Sequence, residues 1–207
     1  MGDTTASTEL TIDGRRARRE RGRSAVIDAV FELAEEGKIP PTAELVAERS
    51  GVSVASIFRY FDGLDDLQVH AHRRFRERFA PLVAAVGDGP RSHCIEALVD
   101  SRLDLYEQAG AIMALARLRA LEHEPLLEAS TETRAALADQ VRATFAPETK
   151  GSSPGRTAEL VAVIDAFTSL EAWDVMRRTH ARSRRQIASS WRRGLDVLID
   201  NWEQDGN

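Results

Sequence analysis

A single cysteine, Cys94, is the whole thiol inventory of this 207-residue chain. No disulfide can form within it, and a reducing cytoplasm is the expected compartment. No stretch of 18 apolar residues is present, so no helix is expected to cross a bilayer, and nothing at the start resembles a secretory signal. Strand signals are also missing. After residue 62 there is no sustained alternation, no Asn-Gly hairpin and no internal repeat, which points to an all-α fold. Basic residues are not in excess. Against 33 Asp and Glu stand 28 Lys and Arg, for a net charge of −5, so attraction to a polyanion has to come from local patches.

Patterns for catalysis are equally scarce. His70, His72, His93, His123 and His180 form no i,i+4 pair or other metal-ligand spacing. His93 and Cys94 are adjacent, so on a helix they point about 100° apart, poor geometry for a base and its nucleophile. No glycine-rich loop follows a strand, so neither a P-loop nor a dinucleotide site is legible. The expectation is a protein that is not an enzyme, with no cofactor and no metal.

What the chain does have is concentrated in residues 42–61, whose spacing reads as a helix-turn-helix. Thr42 can cap a short helix with Leu45, Val46 and Ala47 inward. Ser50-Gly51 ends it, since glycine tolerates the left-handed backbone of a tight turn. Val52 plugs the turn and Ser53 can cap a second helix, on which Ile57 and Phe61 fall four apart on the buried side. Ser53, Val54, Ala55, Ser56, Arg59 and Tyr60 are then expected to project outward. Small side chains let such a helix approach base edges in a major groove about 12 Å wide, and Arg59 and Tyr60 can reach phosphates or bases. Thr42 and Glu44 join this candidate DNA-facing set. The Glu44 carboxylate can accept from a cytosine amine, or it can serve only to favour the helix N-terminus.

A plain helical hairpin would share that outline, but the flanks favour DNA. Residues 15–23 carry six arginines and one glutamate. Arg15, Arg16, Arg18 and Arg19 are candidates for phosphate or minor-groove contact. The run leads into a helix expected over 18–36, with Val26, Ile27, Val30, Phe31 and Ala34 at helical spacing and Gly37 to end it. Residues 1–17 are expected to be a disordered basic arm. Helices are further expected at 63–80, 92–108, 110–123, 125–145, 156–179 and 184–204.

Residues 18–79 resemble the N-terminal domain of the TetR family of bacterial transcriptional regulators. The resemblance rests on Glu36-Gly37, on Thr42 before Leu45-Val46-Ala47, on Ser50-Gly51-Val52-Ser53, on the run Ser56 to Phe61, and on Asp66-Leu67. It covers about a third of the chain. It implies a homodimer with one recognition helix per subunit on double-stranded operator DNA. A C-terminal helical domain over 80–207 would dimerise and bind a small-molecule effector. The implied role is a repressor that blocks promoter access until the effector releases it. Two positions depart from the family pattern: Arg59 stands where an aromatic is usual, and Leu64 where a lysine is common. The alternatives are an all-α enzyme that these patterns do not reveal and a helical adaptor that does not bind DNA.

Apolar stripes in the C-terminal half suggest the remaining sites. Leu160, Ile164, Phe167 and Trp173 belong to a wide apolar surface on 156–179, and Ile187, Trp191, Leu195, Leu198 and Trp202 repeat every three or four residues. They are candidates for a four-helix interface between two copies, or for packing within one. Between the two stripes Arg177, Arg178, Arg182, Arg184, Arg185, Arg192 and Arg193 form a second basic cluster, read as a solvated helix end or a second anion site. A pocket among the middle helices would be lined by Leu98, Arg102, Tyr106, Met113, Arg117, Phe145 and Phe167. Arg102 falls on the inward face set by Ile95, Leu98, Val99 and Tyr106. Its guanidinium therefore needs a partner, which is either a carboxylate of the chain or an acidic effector.

Overall fold

The computed structural model describes residues 4–204 apart from 88 and 122, and every regular element among them is helical. In order they are α1 (Thr4–Glu35), α2 (Ala43–Ser50), α3 (Val54–Tyr60), α4 (Leu64–Val83), α5 (Arg91–Ala120), α6 (Glu124–Thr144), α7 (Pro154–Phe167), α8 (Leu170–Asp174) and α9 (Arg184–Gln204). A π-helical turn, Val175–Thr179, continues α8. None of these helices is long and apolar enough to cross a membrane.

Three boundaries differ from the sequence reading. The arm expected to be disordered over 1–17 is helical from Thr4, its first three residues lying outside the described ones. The sequence of this stretch lacks apolar periodicity, but it also has no proline, and extending a helix already nucleated by packed residues adds one hydrogen bond per residue fixed. The break expected near residue 109 does not occur, and α5 runs through Gly110. A Cβ at Gly110 would sit 3.3 Å from the Trp173 ring and 3.4 Å from Leu170, so this glycine serves close helix packing instead of a turn. Finally, the helix expected over 156–179 stops at Phe167, and Ser169 caps α8 by accepting from the Ala172 amide at 3.2 Å.

The chain divides into two compact units. One comprises residues 1–76 with 111–127, the other 77–110 with 128–207. In the first, Val26, Ile27, Phe31, Leu33 and Ala34 of α1 form a core with Val46, Ile57, Phe61 and Phe75. Ion pairs fasten its margins: Arg49 to Glu32 and Glu36, and Arg74 to Asp28 at 2.9 Å.

The second unit buries Leu98, Val99, Leu103, Tyr106, Phe145, Ile164, Trp191 and Leu195 almost completely. Inside it the Gln140 amide donates to the Leu82 and Ala84 carbonyls at 3.1 and 2.7 Å. Leu82 lies in the last turn of α4 and Ala84 just beyond it, where no further helical turn would satisfy their carbonyls. Arg102 has no exposed surface. Its guanidinium donates to Asp165 at 3.0 Å, to the Leu137 carbonyl at 2.8 Å and to the Tyr106 hydroxyl at 3.2 Å, so α5, α6 and α7 meet at one cation. The Tyr106 hydroxyl passes the chain on to the Thr168 carbonyl at 2.9 Å.

Arg102→Met keeps much of the volume but leaves Asp165 without its partner. Asp165 retains 29% of its side-chain surface in water, so the cost should fall somewhat below the ~3–5 kcal/mol of breaking a fully buried pair. We expect about 2–3 kcal/mol, read as a melting temperature lower by about 5–10 °C. An unchanged melting temperature would mean that the pair contributes nothing in solution.

Candidate nucleic-acid interface

The helix-turn-helix is built from its caps. Thr42 has extended backbone (φ −80°, ψ 158°), and its hydroxyl accepts from the Leu45 amide at 3.3 Å. Gly51 turns the chain with φ 68°, a left-handed conformation that would strain any residue with a Cβ. Ser53 is again extended and accepts from the Ser56 amide at 3.3 Å. Both serine and threonine thus satisfy an amide that the first turn of a helix leaves free. Val46, Ile57 and Phe61 are buried beneath.

Ala55, Phe58 and Arg59 form the exposed side of α3, with Ser53 at its start and Ser56 and Val54 half-buried beside it. The Arg59 guanidinium donates to the Ser56 hydroxyl at 2.9 Å, which also receives the Ser53 hydroxyl at 3.0 Å. The Arg59 guanidinium carbon lies 5.8 Å from the Tyr60 ring centroid. Thr42 and Glu44 are exposed at the start of α2. Hydrogen bonds from its own amide and then from the Thr42 hydroxyl hold the Glu44 carboxyl below the usual carboxylate range, which is the arrangement expected of a charge favouring the helix N-terminus.

Tyr60 does not project freely. It is half-buried, and its ring lies over Gly22 so closely that a Cβ there would fall 2.3 Å from it. Its carbonyl, at the end of α3, accepts from Arg23 Nε at 2.7 Å and from Arg19 at 3.2 Å. The same Arg23 guanidinium bonds Asp66 at 2.8 Å and His70 Nε2 at 2.9 Å, and lies 5.4 Å from the Phe61 ring centroid. Because a guanidinium only donates, His70 Nε2 accepts here, and the Nδ1 proton is left for Asp66. So the last arginine of the basic run holds α3 in place, and Arg19 assists it. Arg16 and Arg18 are exposed on α1, while the side chains of Arg15 and Leu64 lie outside the described ones. Phe58, 70% exposed, was absent from the sequence-based set. Its position about 100° around the helix from Ile57 was the available signal.

The other candidates fall elsewhere. Leu98, Arg102, Tyr106, Phe145 and Phe167 belong to the second compact unit, whereas Met113 and Arg117 belong to the segment grouped with the first. The acidic partner of Arg102 is Asp165 of the chain itself. Of the stripe expected to face another copy, Leu160, Ile164, Ile187, Trp191 and Leu195 are already buried within one chain. They are core because α7 and α9 pack against their own unit, and a Cβ at Gly194 of α9 would come within 2.5 Å of the Phe167 ring. Trp173 lies against Gly110; Leu198 and Trp202 remain partly exposed. Three arginines of the second basic cluster are ion-paired: Arg184 with Asp104 and Glu107, Arg192 with Glu96 and Asp100, and Arg178 with Asp174. A surface depression of about 440 Å³ lies among Arg184, Arg185, Arg192, Arg193 and Asp100.

No family model matches the sequence, and no curated protein does. Solved structures do resemble the fold. A transcriptional regulator from Rhodococcus sp. Rha1 superposes with a TM-score of 0.67 at 18% identity, over 88% of this chain and 96% of that one. A TetR-family transcriptional regulator from Streptomyces coelicolor gives 0.71 at 15% identity, over 90% and 88%. The multidrug binding protein EbrR, solved with imidazole, gives 0.58 at 22% identity, over 86% and 94%. The chain is built on the fold of TetR-type transcriptional regulators.

Proposed function

We propose that this chain is a sequence-specific DNA-binding transcriptional regulator of the TetR type. The observation that carries the reading is α3: capped by Ser53, anchored at its far end by Arg23, and turned so that Ala55, Phe58 and Arg59 face outward. A helix of that size, presenting a small side chain, a phenyl ring and one guanidinium, suits a major groove. The protein acts in the cytoplasm as a homodimer and represses by occupying a promoter. Recognition helices of the two subunits must lie about 34–36 Å apart to enter successive major grooves. A small-molecule effector that favours another spacing would release the DNA. EbrR was solved with a small molecule, which supports looking for an effector here. Arg102 is engaged by Asp165, so an acidic effector is not required to explain its burial.

The dimer surface we assign to the outer faces of α7 and α9. Ala158, Ala162, Val163 and Ala166 of α7 are exposed, and so is Val197 of α9. Small side chains allow two helices to approach closely, and the valines supply apolar area.

Gel retardation with DNA flanking the coding region tests the central reading: a shift that survives unrelated competitor DNA supports it, and binding to all DNA alike counts against it. In the same assay Arg59→Ala should weaken binding by a similar factor across operator variants. The log–log salt slope should flatten by about one unit, as expected for one lost phosphate contact. Lost discrimination at a single base pair with an unchanged slope would make Arg59 a base reader.

Replacing Val163 and Val197 together with Glu should give folded monomers by sedimentation, with the wild type dimeric at micromolar concentration. Leu195→Glu, by contrast, puts a charge in the subunit core and should unfold the chain. A wild type that sediments as a monomer would overturn the assignment of the dimer.

A further inference from the structure

We propose that Phe58 is a base-reading residue that recognises thymine through its C5 methyl group, so that operator half-sites carry a thymine opposite it. This rests on α3 being the DNA-reading helix. Ile57 and Phe61 are buried, yet Phe58 keeps 70% of its surface exposed. It lies three residues after Ala55 and next to Arg59, on the same outward side of the helix. A phenyl ring mostly in water on a seven-residue helix contributes little to the core, so its exposed apolar surface is available to something outside the chain.

The chemistry of the major groove narrows what that is. Between Val54 and Tyr60 there is no Asn, Gln, Lys, Asp or Glu. The amide fork that reads adenine and the carboxylate that reads the cytosine amine are therefore both missing from α3. Arg59 can serve guanine or a phosphate. The thymine methyl is the one apolar group the standard bases place in the major groove, and alanine and phenylalanine are side chains suited to it. Without a hydroxyl, Phe58 cannot bond a phosphate, which removes the sequence-independent role open to a tyrosine in its place. Its neighbour Ser56 is already bonded to Ser53 and Arg59, which leaves apolar contact as the main source of discrimination along this face.

The test uses double-stranded DNA enriched from a random pool by the wild-type protein, with each thymine of the enriched site replaced singly by deoxyuridine. Uracil keeps the Watson–Crick pairing and every hydrogen-bonding atom, and removes only the methyl. At one thymine per half-site the wild type should lose about fourfold in affinity, equivalent to ~0.8 kcal/mol for one buried methyl-sized group. Phe58→Ala should bind the thymine site more weakly and lose the difference between thymine and uracil there, and Phe58→Leu should restore part of it. Because Phe58 is exposed, both variants should melt as the wild type does. Specific binding in which the wild type tolerates uracil everywhere would overturn this proposal alone, as would a uracil penalty that persists in full in Phe58→Ala. A pool that yields no enriched sequence would overturn the DNA-reading premise and this proposal with it.

Discussion

The Arg23 guanidinium is the constraint on which the candidate interface depends. It joins three helices through four kinds of contact: the terminal carbonyl of α3, the Asp66 carboxylate and His70 ring of α4, and the face of Phe61. All of these contacts converge on one guanidinium, so moving α3 relative to α1 costs several of them at once. Gly22 completes the arrangement by letting the Tyr60 ring lie directly on α1. The outward direction of Ala55, Phe58 and Arg59 is thus set from behind, by residues that never face outward themselves. A charged run that reads as a free phosphate-binding arm is in part the scaffold for the helix proposed to meet DNA.

The second compact unit uses the same device more deeply. Arg102 sits among residues that are almost wholly apolar, and it is tolerable there because Asp165, a backbone carbonyl and a tyrosine hydroxyl share its charge. Around it, glycines appear where aromatic rings need room: Gly110 beneath Trp173 and Gly194 beneath Phe167. Those two contacts fix how closely α5 meets α8 and α7 meets α9. Much of the stripe on α7 and α9 is consumed in this packing, which leaves the alanines and valines of their outer faces for any second copy.

Short-range signals made the helix-turn-helix legible in the sequence. Thr42, Gly51 and Ser53 each act within four residues, and the burial of Ile57 and Phe61 follows from helical spacing alone. Most helices were legible for the same reason. What escaped depends on partners far along the chain. Whether Tyr60 is free or pinned depends on a glycine 38 positions earlier. Whether Gly110 breaks a helix or admits a ring depends on Trp173. An apolar stripe looks alike whether its own subunit or another copy covers it, and periodicity alone does not say that Leu195 is buried within its own chain while Leu198 of the same stripe stays partly exposed. Phe58 is legible as outward only from its angular position, about 100° around α3 from the buried Ile57.

Competition between an enriched DNA fragment and a shuffled fragment of the same composition, at physiological salt, tests the central claim most directly. A helix that reads base edges predicts a preference for the enriched fragment of about 10³-fold or more. Equal affinity for the two fragments would mean that the outward face of α3 does not read sequence, and would contradict the account.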